Sequence, residues 1–376
     1  MSVQRTSVLI IGGGPGGLAT AGCLRKAKVP FELLEKSQRV GNAWHEHYDR
    51  LHLHTVKELS HLPHLTFPEE YPQYVPKGLL TDYFEQYTQH FNIQPHFGQT
   101  VTEISKEGTK WQVQTKQGAT WIADQVVVAT GVNRVPNHPA FQDEADFGGQ
   151  ILHSRKYRNA KPFVGQRVLV IGMGNTGAEI ALDLSESDID TTISVRSPVN
   201  IVPRDVLGRP TQLTAQKLSK LPHWLGDWVG VQLRRFTVGD LTKYGLQTPA
   251  MPPAKQLRVT GKTPVIDIGT LTAIKAGRIK VMPGLDHFTT SGVVFKNGQE
   301  RAFDTVILAT GYRPKLEAFI PGIAPLLDQY GAPSKVMAPA PFEGLYFVGF
   351  DNYTAGGILG NIFRESGQVA GVIAGE

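Results

Sequence analysis

Cysteine is almost absent from this chain of 376 residues, which contains only Cys23. A single cysteine excludes an internal disulfide and a C-x-x-C redox centre, and we expect this thiol to pack in a core. The apolar runs are short, and none approaches the ~18 residues of a membrane-spanning helix. Because the run at residues 8–11 is followed directly by glycines, we expect no signal peptide and a cytoplasmic protein.

The sequence also lacks low-complexity tracts, long runs of like charge and any basic stripe. We therefore expect a soluble globular protein that binds no nucleic acid. The net charge of +5 is modest and suits anionic ligands. The length exceeds that of one ordinary core, so two domains are expected.

A glycine-rich turn after the first apolar run organises the chain. Gly12, Gly14 and Gly17 fit the spacing G-x-G-x-x-G, and Pro15 opens a helix rich in Ala and Leu. The first glycine makes the tight turn, the second lets the backbone approach a pyrophosphate, and the third lets the helix pack on the strand. The next predicted strand ends at Glu35, where an acid accepts a hydrogen bond from a ribose hydroxyl. This order predicts a dinucleotide site.

A second unit of the same kind begins with the apolar run at 168–171. Gly172, Gly174 and Gly177 repeat the spacing, but the strand at 192–195 is followed by Arg196 and Ser197 instead of an acid. An arginine there accommodates a 2′-phosphate, whereas an acid repels it. We therefore expect FAD on the first unit and NADPH on the second. A solvated surface arginine is the alternative for Arg196.

Two Ala-Thr-Gly turns, at 129–131 and 309–311, follow apolar strands and are expected to mark the crossings between domains. The predicted fold is α/β, with two Rossmann-like dinucleotide-binding domains, the NADPH domain being inserted in the FAD domain. The expected divisions are 1–160 (FAD domain), 161–302 (NADPH domain) and 303–376 (the rest of the FAD domain). Residues 200–263 show no readable periodicity.

Between the two glycine units, Phe147, Gly149, His153 and Tyr157 fit F-x-G-x-x-x-H-x-x-x-[YF]. This pattern resembles the identifying motif of flavin-containing and Baeyer–Villiger monooxygenases. Residues 48–54, 207–209 and 261–271 narrow the resemblance to the plant YUCCA monooxygenases. We leave two roles open for His153 and Tyr157: linking the nucleotide sites during domain motion, or packing at a hinge.

The resemblance implies a reaction. NADPH reduces FAD, and O₂ adds to the flavin C4a to form a peroxide. The peroxide then converts indole-3-pyruvate, or a related aromatic 2-oxo acid, to the acetate and CO₂. The implied partners are O₂ and a small organic substrate, and a homodimer is a further expectation.

A histidine distinguishes subgroups within this resemblance. Flavin monooxygenases that oxidise amines and sulfides carry Asn three residues before a Lys-Glu pair, whereas here His54 precedes Lys57 at that spacing. We expect His54, or with lower rank Arg50, to hold the substrate carboxylate; the alternative for Arg50 is that it pins a loop. We include Lys57 among the catalytic candidates. Residues 350–357 depart from the YUCCA pattern, which leaves the identity of the substrate open.

The H-x-H pairs between residues 45 and 54 also suggest a metal site, but no cysteine or carboxylate pattern completes one, so no metal is expected. The residues expected to contact FAD or NADPH are Gly12, Gly14, Pro15, Gly17, Glu35, Lys36, Trp44, Val101, Ala129, Thr130, Gly131, Gly172, Gly174, Asn175, Thr176, Gly177, Arg196, Ser197, Ala309, Thr310, Gly311, Tyr312 and Gly349.

Three alternative functions remain at this point. One is an N- or S-oxygenating flavin monooxygenase, which differs in its pocket. Another is an NADPH oxidase or reductase that makes no oxygenated product, although disulfide reductases of this architecture use a cysteine pair that the chain lacks. The third is a flavoprotein that senses redox state or binds partners without catalysis.

Overall fold

The structure is a computed structural model that describes residues 3–218 and 221–375. Five residues lie outside this description: Met1 and Ser2 in the predicted first domain, Ser219 and Lys220 in the segment without readable periodicity, and Glu376 at the end of the predicted last part.

The strands, in chain order, are β1 (Val3–Ile11), β2 (Glu32–Leu34), β3 (Val101–Glu107), β4 (Lys110–Thr115), β5 (Thr120–Val128), β6 (Val135–Pro136), β7 (Gln150–His153), β8 (Arg167–Ile171), β9 (Asp190–Ser194), β10 (Ile201–Pro203), β11 (Asp205–Val206), β12 (Arg209–Pro210), β13 (Val265–Asp267), β14 (Ile279–Met282), β15 (Leu285–Thr289), β16 (Gly292–Phe295), β17 (Glu300–Ala302), β18 (Thr305–Leu308), β19 (Tyr312–Arg313) and β20 (Leu345–Phe347). The helices are α1 (Pro15–Lys26), α2 (Asn42–His45), α3 (Lys77–His90), α4 (Asn175–Glu186), α5 (Thr211–Leu218), α6 (His223–Thr237), α7 (Pro253–Thr260), α8 (Thr270–Lys275) and α9 (Gly357–Ala374).

The first sheet is built around β1 and has the order β2-β1-β5-β4-β3, with β20 also paired to β5. β2, β1, β5 and β20 run parallel, whereas β3 and β4 form an antiparallel meander on the first half of β5. Besides β1, the first half of β5 therefore pairs with β4 and its second half with β20. The Cys23 thiol, on α1, is buried as expected, and burial raises its pKa to about 11.

The second sheet has the order β14-β9-β8-β18-β7, and all its strands are parallel. Its central strands β8 and β18 are buried apolar runs, as expected for a parallel sheet covered on both faces. A glycine turn leads from β8 into α4, as one leads from β1 into α1 in the first sheet. The predicted fold class, with two Rossmann-like units, is confirmed.

The expected divisions at residues 160 and 302 do not follow the sheets. β7 precedes the first division and β18 follows the second, yet both pair in the second sheet. The physical reason is that the position beside β8 needs a buried apolar strand, and Thr305–Leu308 supplies one. We propose instead that the second domain runs from β7 to β18.

The two connections between the sheets run side by side. β6 pairs antiparallel with β19. The Asn137 N–H donates to the carbonyl oxygen of Gly311 at 2.9 Å, and the Thr310 hydroxyl donates to the Asn137 carbonyl at 2.5 Å. The chain thus leaves the first sheet and returns to it at one place.

The segment at 200–263, where the sequence showed no period, contains β10, β11, β12, α5, α6 and α7 in its described part. β10 pairs parallel with β13, which attaches the segment beside the second sheet. Its helices have no fully buried residue, and this explains why periodicity failed there.

Candidate active site

The first glycine turn leaves open space in front of a helix. Gly12 has φ +112°, and a Cβ there would lie 2.7 Å from the Ala129 carbonyl oxygen. A Cβ on Gly17 would overlap the Gly12 carbonyl, whereas one on Gly14 would have no described atom within 4 Å. α1 begins at Pro15, and no described side chain caps it. The first-turn N–H groups therefore face open space, which fits a pyrophosphate.

Glu35 lies beside this turn and is fixed by three hydrogen bonds. Its Oε2 accepts from the Gly13 N–H at 2.6 Å, and its Oε1 accepts from the N–H and the hydroxyl of Ser37 at 2.8 and 2.6 Å. The Thr130 hydroxyl, in the adjoining Ala-Thr-Gly turn, is buried and has no partner within the described chain. An orphaned hydroxyl and an oriented carboxylate both fit a polar ligand such as the ribose and flavin parts of FAD.

Three predicted flavin contacts lie away from the turn itself. Lys36 is exposed beside Glu35. Trp44 is half-buried and meets the Phe84 ring edge-on, with the centroids 6.2 Å apart. Val101 begins β3. None of the contacts described for these side chains involves a glycine of the turn.

The second glycine turn repeats the first almost exactly in its contacts. Gly172 has φ +106°, and a Cβ there would lie 2.7 Å from the carbonyl oxygen of Ala309. Gly177 packs on the Gly172 carbonyl, and the space around Gly174 is open among described atoms. Asn175, expected at the cofactor, instead accepts the Ile266 N–H at 2.7 Å. It thereby fastens α4 to β13. Thr176 is half-buried in the first turn of α4.

Arg196 and Ser197 follow the carboxyl end of β9 and are exposed. Arg196 has no hydrogen-bond or ion-pair partner among the described residues. Its Cβ packs against Gly284, where an added methyl would approach to 2.9 Å. The backbone of Arg196 is thus held, while its guanidinium is free to bind a phosphate.

The motif residues fasten the connection between the sheets. The His153 Nε2–H donates to the Gly311 carbonyl at 3.0 Å, and the ring meets Tyr312 edge-on, with the centroids 5.0 Å apart. The Tyr157 hydroxyl donates to Oδ2 of Asp183, on α4, at 2.5 Å. Phe147 is buried, and a Cβ on Gly149 would meet its ring. These contacts favour a structural role at the joint.

His54 lies where the two sheets' helices approach each other. Its Nε2 is 2.6 Å from Oε1 of Glu179, a buried carboxylate on α4. Its Nδ1 is buried and has no partner in the described chain. The next residue, Thr55, touches Gly357 at the start of α9, where a Cβ would lie 2.7 Å from the threonine methyl. One ring nitrogen thus lies against Glu179, and the other is buried without a hydrogen-bond partner among the described residues.

Arg50 and Lys57 both have partners among the described residues, and for Arg50 these partners favour the alternative that it pins a loop. Nη1 of Arg50 lies 2.8 Å from Oε2 of Glu186 and 3.4 Å from Oδ1 of Asp183, both on α4. The Lys57 ammonium donates to the carbonyls of Glu69 and Tyr71 at 2.6 and 2.8 Å. Both cations are therefore already paired, and they hold the loop that carries His54.

Two further residues fix backbone around the site, and sequence reasoning missed both. Gln212, on α5, accepts the Val56 N–H at 2.8 Å and donates to the Gly356 carbonyl at 3.2 Å. Glu365, inside α9, accepts the Gly349 N–H at 2.7 Å. Burial raises the pKa of Glu365 to about 7. An acid within an apolar helix was the available signal for Glu365, as it was for Glu179, whereas Gln212 gave none.

Comparison with known proteins decides the family. The model of the flavin-binding monooxygenase-like family matches residues 5–324. The chain belongs to this family. It is 39% identical to the indole-3-pyruvate monooxygenase YUCCA1 of Oryza sativa subsp. japonica, over 94% of this chain and 87% of the rice protein. The predicted class is confirmed: a flavin monooxygenase, with FAD and NADPH as its cofactors.

Solved structures show the fold of this flavin monooxygenase and no more. The flavin-containing monooxygenase from Stenotrophomonas maltophilia superposes with a TM-score of 0.77 at 23% identity, over 99% of both chains. A bacillithiol disulfide reductase from Staphylococcus aureus superposes with a TM-score of 0.70 at 17% identity, over 98% of both chains. Because one architecture serves both activities, the fold alone does not identify the reaction.

The flavin monooxygenase acts on a small organic substrate with O₂. In its described part, no helix is long and apolar enough to cross a membrane. No cluster of His, Cys, Asp and Glu in the described ranges has the arrangement of a metal site.

Proposed function

We propose that this flavin monooxygenase oxidatively decarboxylates indole-3-pyruvate or a related aromatic 2-oxo acid. The observation that carries the proposal is the 39% identity, over most of both chains, to a protein named for indole-3-pyruvate. In the balanced reaction, the 2-oxo acid, O₂, NADPH and a proton give the shortened acid, CO₂, water and NADP⁺. The C1–C2 bond breaks, and one oxygen atom of O₂ enters the new carboxylate.

We assign FAD to the first glycine turn and NADPH to the second. Bound FAD supplies the activation of O₂, which no side chain of the chain performs. The Glu35 carboxylate, held by Gly13 and Ser37, accepts a ribose hydroxyl. Arg196, exposed at the end of β9, binds the 2′-phosphate that distinguishes NADPH from NADH.

His54 holds the substrate carboxylate in this proposal. Nε2 lies 2.6 Å from the buried Oε1 of Glu179, within ion-pair distance but not aligned as a hydrogen bond. Nδ1 is the ring nitrogen without a partner among the described residues, and in this proposal an N–H there donates to the substrate carboxylate. Glu179 is thus the positioning residue, and His54 is the residue that touches the substrate.

Product analysis with paired substrates tests the reaction. The FAD-loaded enzyme is given NADPH, oxygenated buffer and either indole-3-pyruvate or a thioether. We expect one indole-3-acetate and one CO₂ for each NADPH consumed, with little hydrogen peroxide and little sulfoxide. Sulfoxide without the acetate would instead identify an S-oxygenating enzyme. NADPH consumption matched by hydrogen peroxide with both substrates would identify an oxidase.

A His54→Asn variant separates substrate binding from flavin reduction. We expect KM for indole-3-pyruvate to rise about tenfold or more, because a charge-assisted hydrogen bond is lost. The rate at which NADPH reduces the flavin stays unchanged. His52→Asn is the matched control, because among the described residues that exposed ring bonds to the Arg50 carbonyl alone, at 2.6 Å. An unchanged KM in His54→Asn would remove His54 from the substrate site.

We further propose a cytoplasmic location and keep the homodimer as a prediction. Support for the location is the lack of a spanning helix in the described residues. Analytical ultracentrifugation of the holoenzyme tests the dimer, and a mass near the chain's 41.2 kDa would exclude it.

A further inference from the structure

α6 exposes large aromatic side chains to solvent. Trp224, Trp228 and Phe236 are 72%, 60% and 82% exposed. The two tryptophans are four residues apart and so adjacent on one helix face, and exposed Arg235 lies two turns further along that face. Scattered exposed apolar residues are ordinary, but adjacent exposed tryptophans on one helix are a sign of a binding surface.

The polar side chains of α6 hold it to the protein. Asp227 is largely buried and forms an ion pair with Arg258 of α7 at 2.8 Å. Arg234 is half-buried and donates to Asn200, which is itself buried beside β10. The aromatic face is therefore turned outward by specific polar contacts. It is not left over from an incomplete core.

The charge of the chain is concentrated around this helix. Residues 207–262 contain nine Lys and Arg against two acids, Asp227 and Asp240, a net +7. The whole chain has +5, so all other residues together carry −2. One of the two acids is already paired with Arg258. The aromatic face thus lies within a chain segment of strong net positive charge.

We propose that residues 207–262, which we call the basic segment, bind the surface of an anionic lipid bilayer, with α6 lying in the interface. Tryptophan favours the headgroup region, and Lys and Arg are attracted to anionic lipids. α6 has 15 residues and lies on a bilayer without crossing it. A second copy of the chain is the poorer occupant, because two segments of net +7 repel each other.

This inference is independent of the reaction proposed above, because it concerns a surface and no reacting group. The basic segment also carries Gln212, which contacts the loop after His54 through the Val56 N–H.

Vesicle binding tests the proposal. The FAD-loaded full chain is mixed with vesicles of phosphatidylcholine alone or with about a third phosphatidylglycerol. We expect sedimentation with the anionic vesicles only, a blue shift of tryptophan emission, and release by high salt. Trp224→Ser/Trp228→Ser should weaken binding about tenfold or more, and Lys217→Gln/Arg235→Gln should weaken it on anionic vesicles.

Two control variants test whether vesicle binding is specific to the aromatic face of α6 and to the basic segment. Val164→Ser removes an exposed apolar side chain elsewhere, and Lys116→Gln removes an exposed charge on the meander of the first sheet. Both should bind as the wild type does. Retained FAD absorbance shows that each variant is folded. The proposal is overturned if the wild type does not bind anionic vesicles, or if the double tryptophan variant binds them as tightly as the wild type does. A wild-type dimer that the tryptophan variant converts to monomer would identify a second copy as the occupant instead.

Discussion

Glu365 is a buried acid inside α9, and its carboxylate accepts the Gly349 N–H next to the first sheet. Burial raises its pKa from 4.5 to about 7, so the folded protein keeps this proton to higher pH than the unfolded chain does. The contribution of Glu365 to stability is therefore full below about pH 4.5 and is lost as pH rises through about 7.

Glu365→Gln should remove that loss, because the amide oxygen still accepts from Gly349. We expect the variant and the wild type to have nearly equal free energies of unfolding below about pH 4.5. At pH 8 the variant should be more stable by up to about 3 kcal/mol. Denaturant titrations of the holoenzyme at both pH values measure this. Glu107→Gln, at an exposed acid, is the control, and a difference that does not change with pH would contradict the prediction.

Arg196 distinguishes the two nicotinamide cofactors. Arg196→Glu should raise KM for NADPH about tenfold to a hundredfold and leave KM for NADH nearly unchanged, because only NADPH carries the 2′-phosphate. Arg278→Glu makes the same charge change before β14, at the opposite edge of the parallel second sheet. Steady-state kinetics with both cofactors compares them, and equal losses in the two variants would show only a general charge effect.

At the scale of the element, each strand–turn–helix unit has one glycine with room for a methyl group. Gly14 and Gly174 have no described neighbour within 4 Å of an added Cβ, and both have extended backbones. Alanine at either position should fold normally and obstruct the pyrophosphate. We expect Gly14→Ala to be purified without flavin, and Gly174→Ala to retain flavin but lose NADPH affinity.

Flavin absorbance and NADPH titration of the two variants check this division. Gly177→Ala is the contrasting change, because its methyl would overlap the Gly172 carbonyl, and it should fail to fold. A Gly174→Ala variant that loses flavin, or a Gly14→Ala variant that keeps it, would reverse the cofactor assignment.

The two strand–turn–helix units were the most predictable part of the fold. The spacing of their glycines is visible in a short stretch of sequence, and each glycine has a role in its own turn. What depends on tertiary pairing was not predictable. The apolar run of β18 suits either sheet, and only its partners β7 and β8 place it in the second. The sequence left Arg50 between binding the substrate carboxylate and pinning a loop, and the structure pairs it with two carboxylates of α4. The distance from Arg50 to Glu186 along the chain hid that pairing.

At the scale of the whole molecule, the loop with Arg50 and His54 is attached to α4 of the second sheet. Arg50→Ala removes two ion pairs of partly buried groups, at a cost of about 1 kcal/mol. We expect faster amide hydrogen exchange in this loop and in α4, together with more hydrogen peroxide per NADPH, since a looser joint admits water.

Lys280→Ala serves as the control, because its ion pair with Asp190 is exposed and lies within the second sheet. It should change neither hydrogen exchange in the loop nor the yield of peroxide. If Arg50→Ala leaves both measurements unchanged, the ion pairs do not couple the two sheets.

The side-by-side connections β6 and β19 have a consequence for the order in which the protein forms on the ribosome. The second sheet has all its described strands once β18 has been synthesised, whereas the first sheet still lacks β20, and α1 still lacks its partner α9. The unit built on the second sheet can therefore fold while the unit built on the first sheet is still incomplete. The unit built on the first sheet, although its first strand is synthesised earlier, is completed only after the second unit has formed.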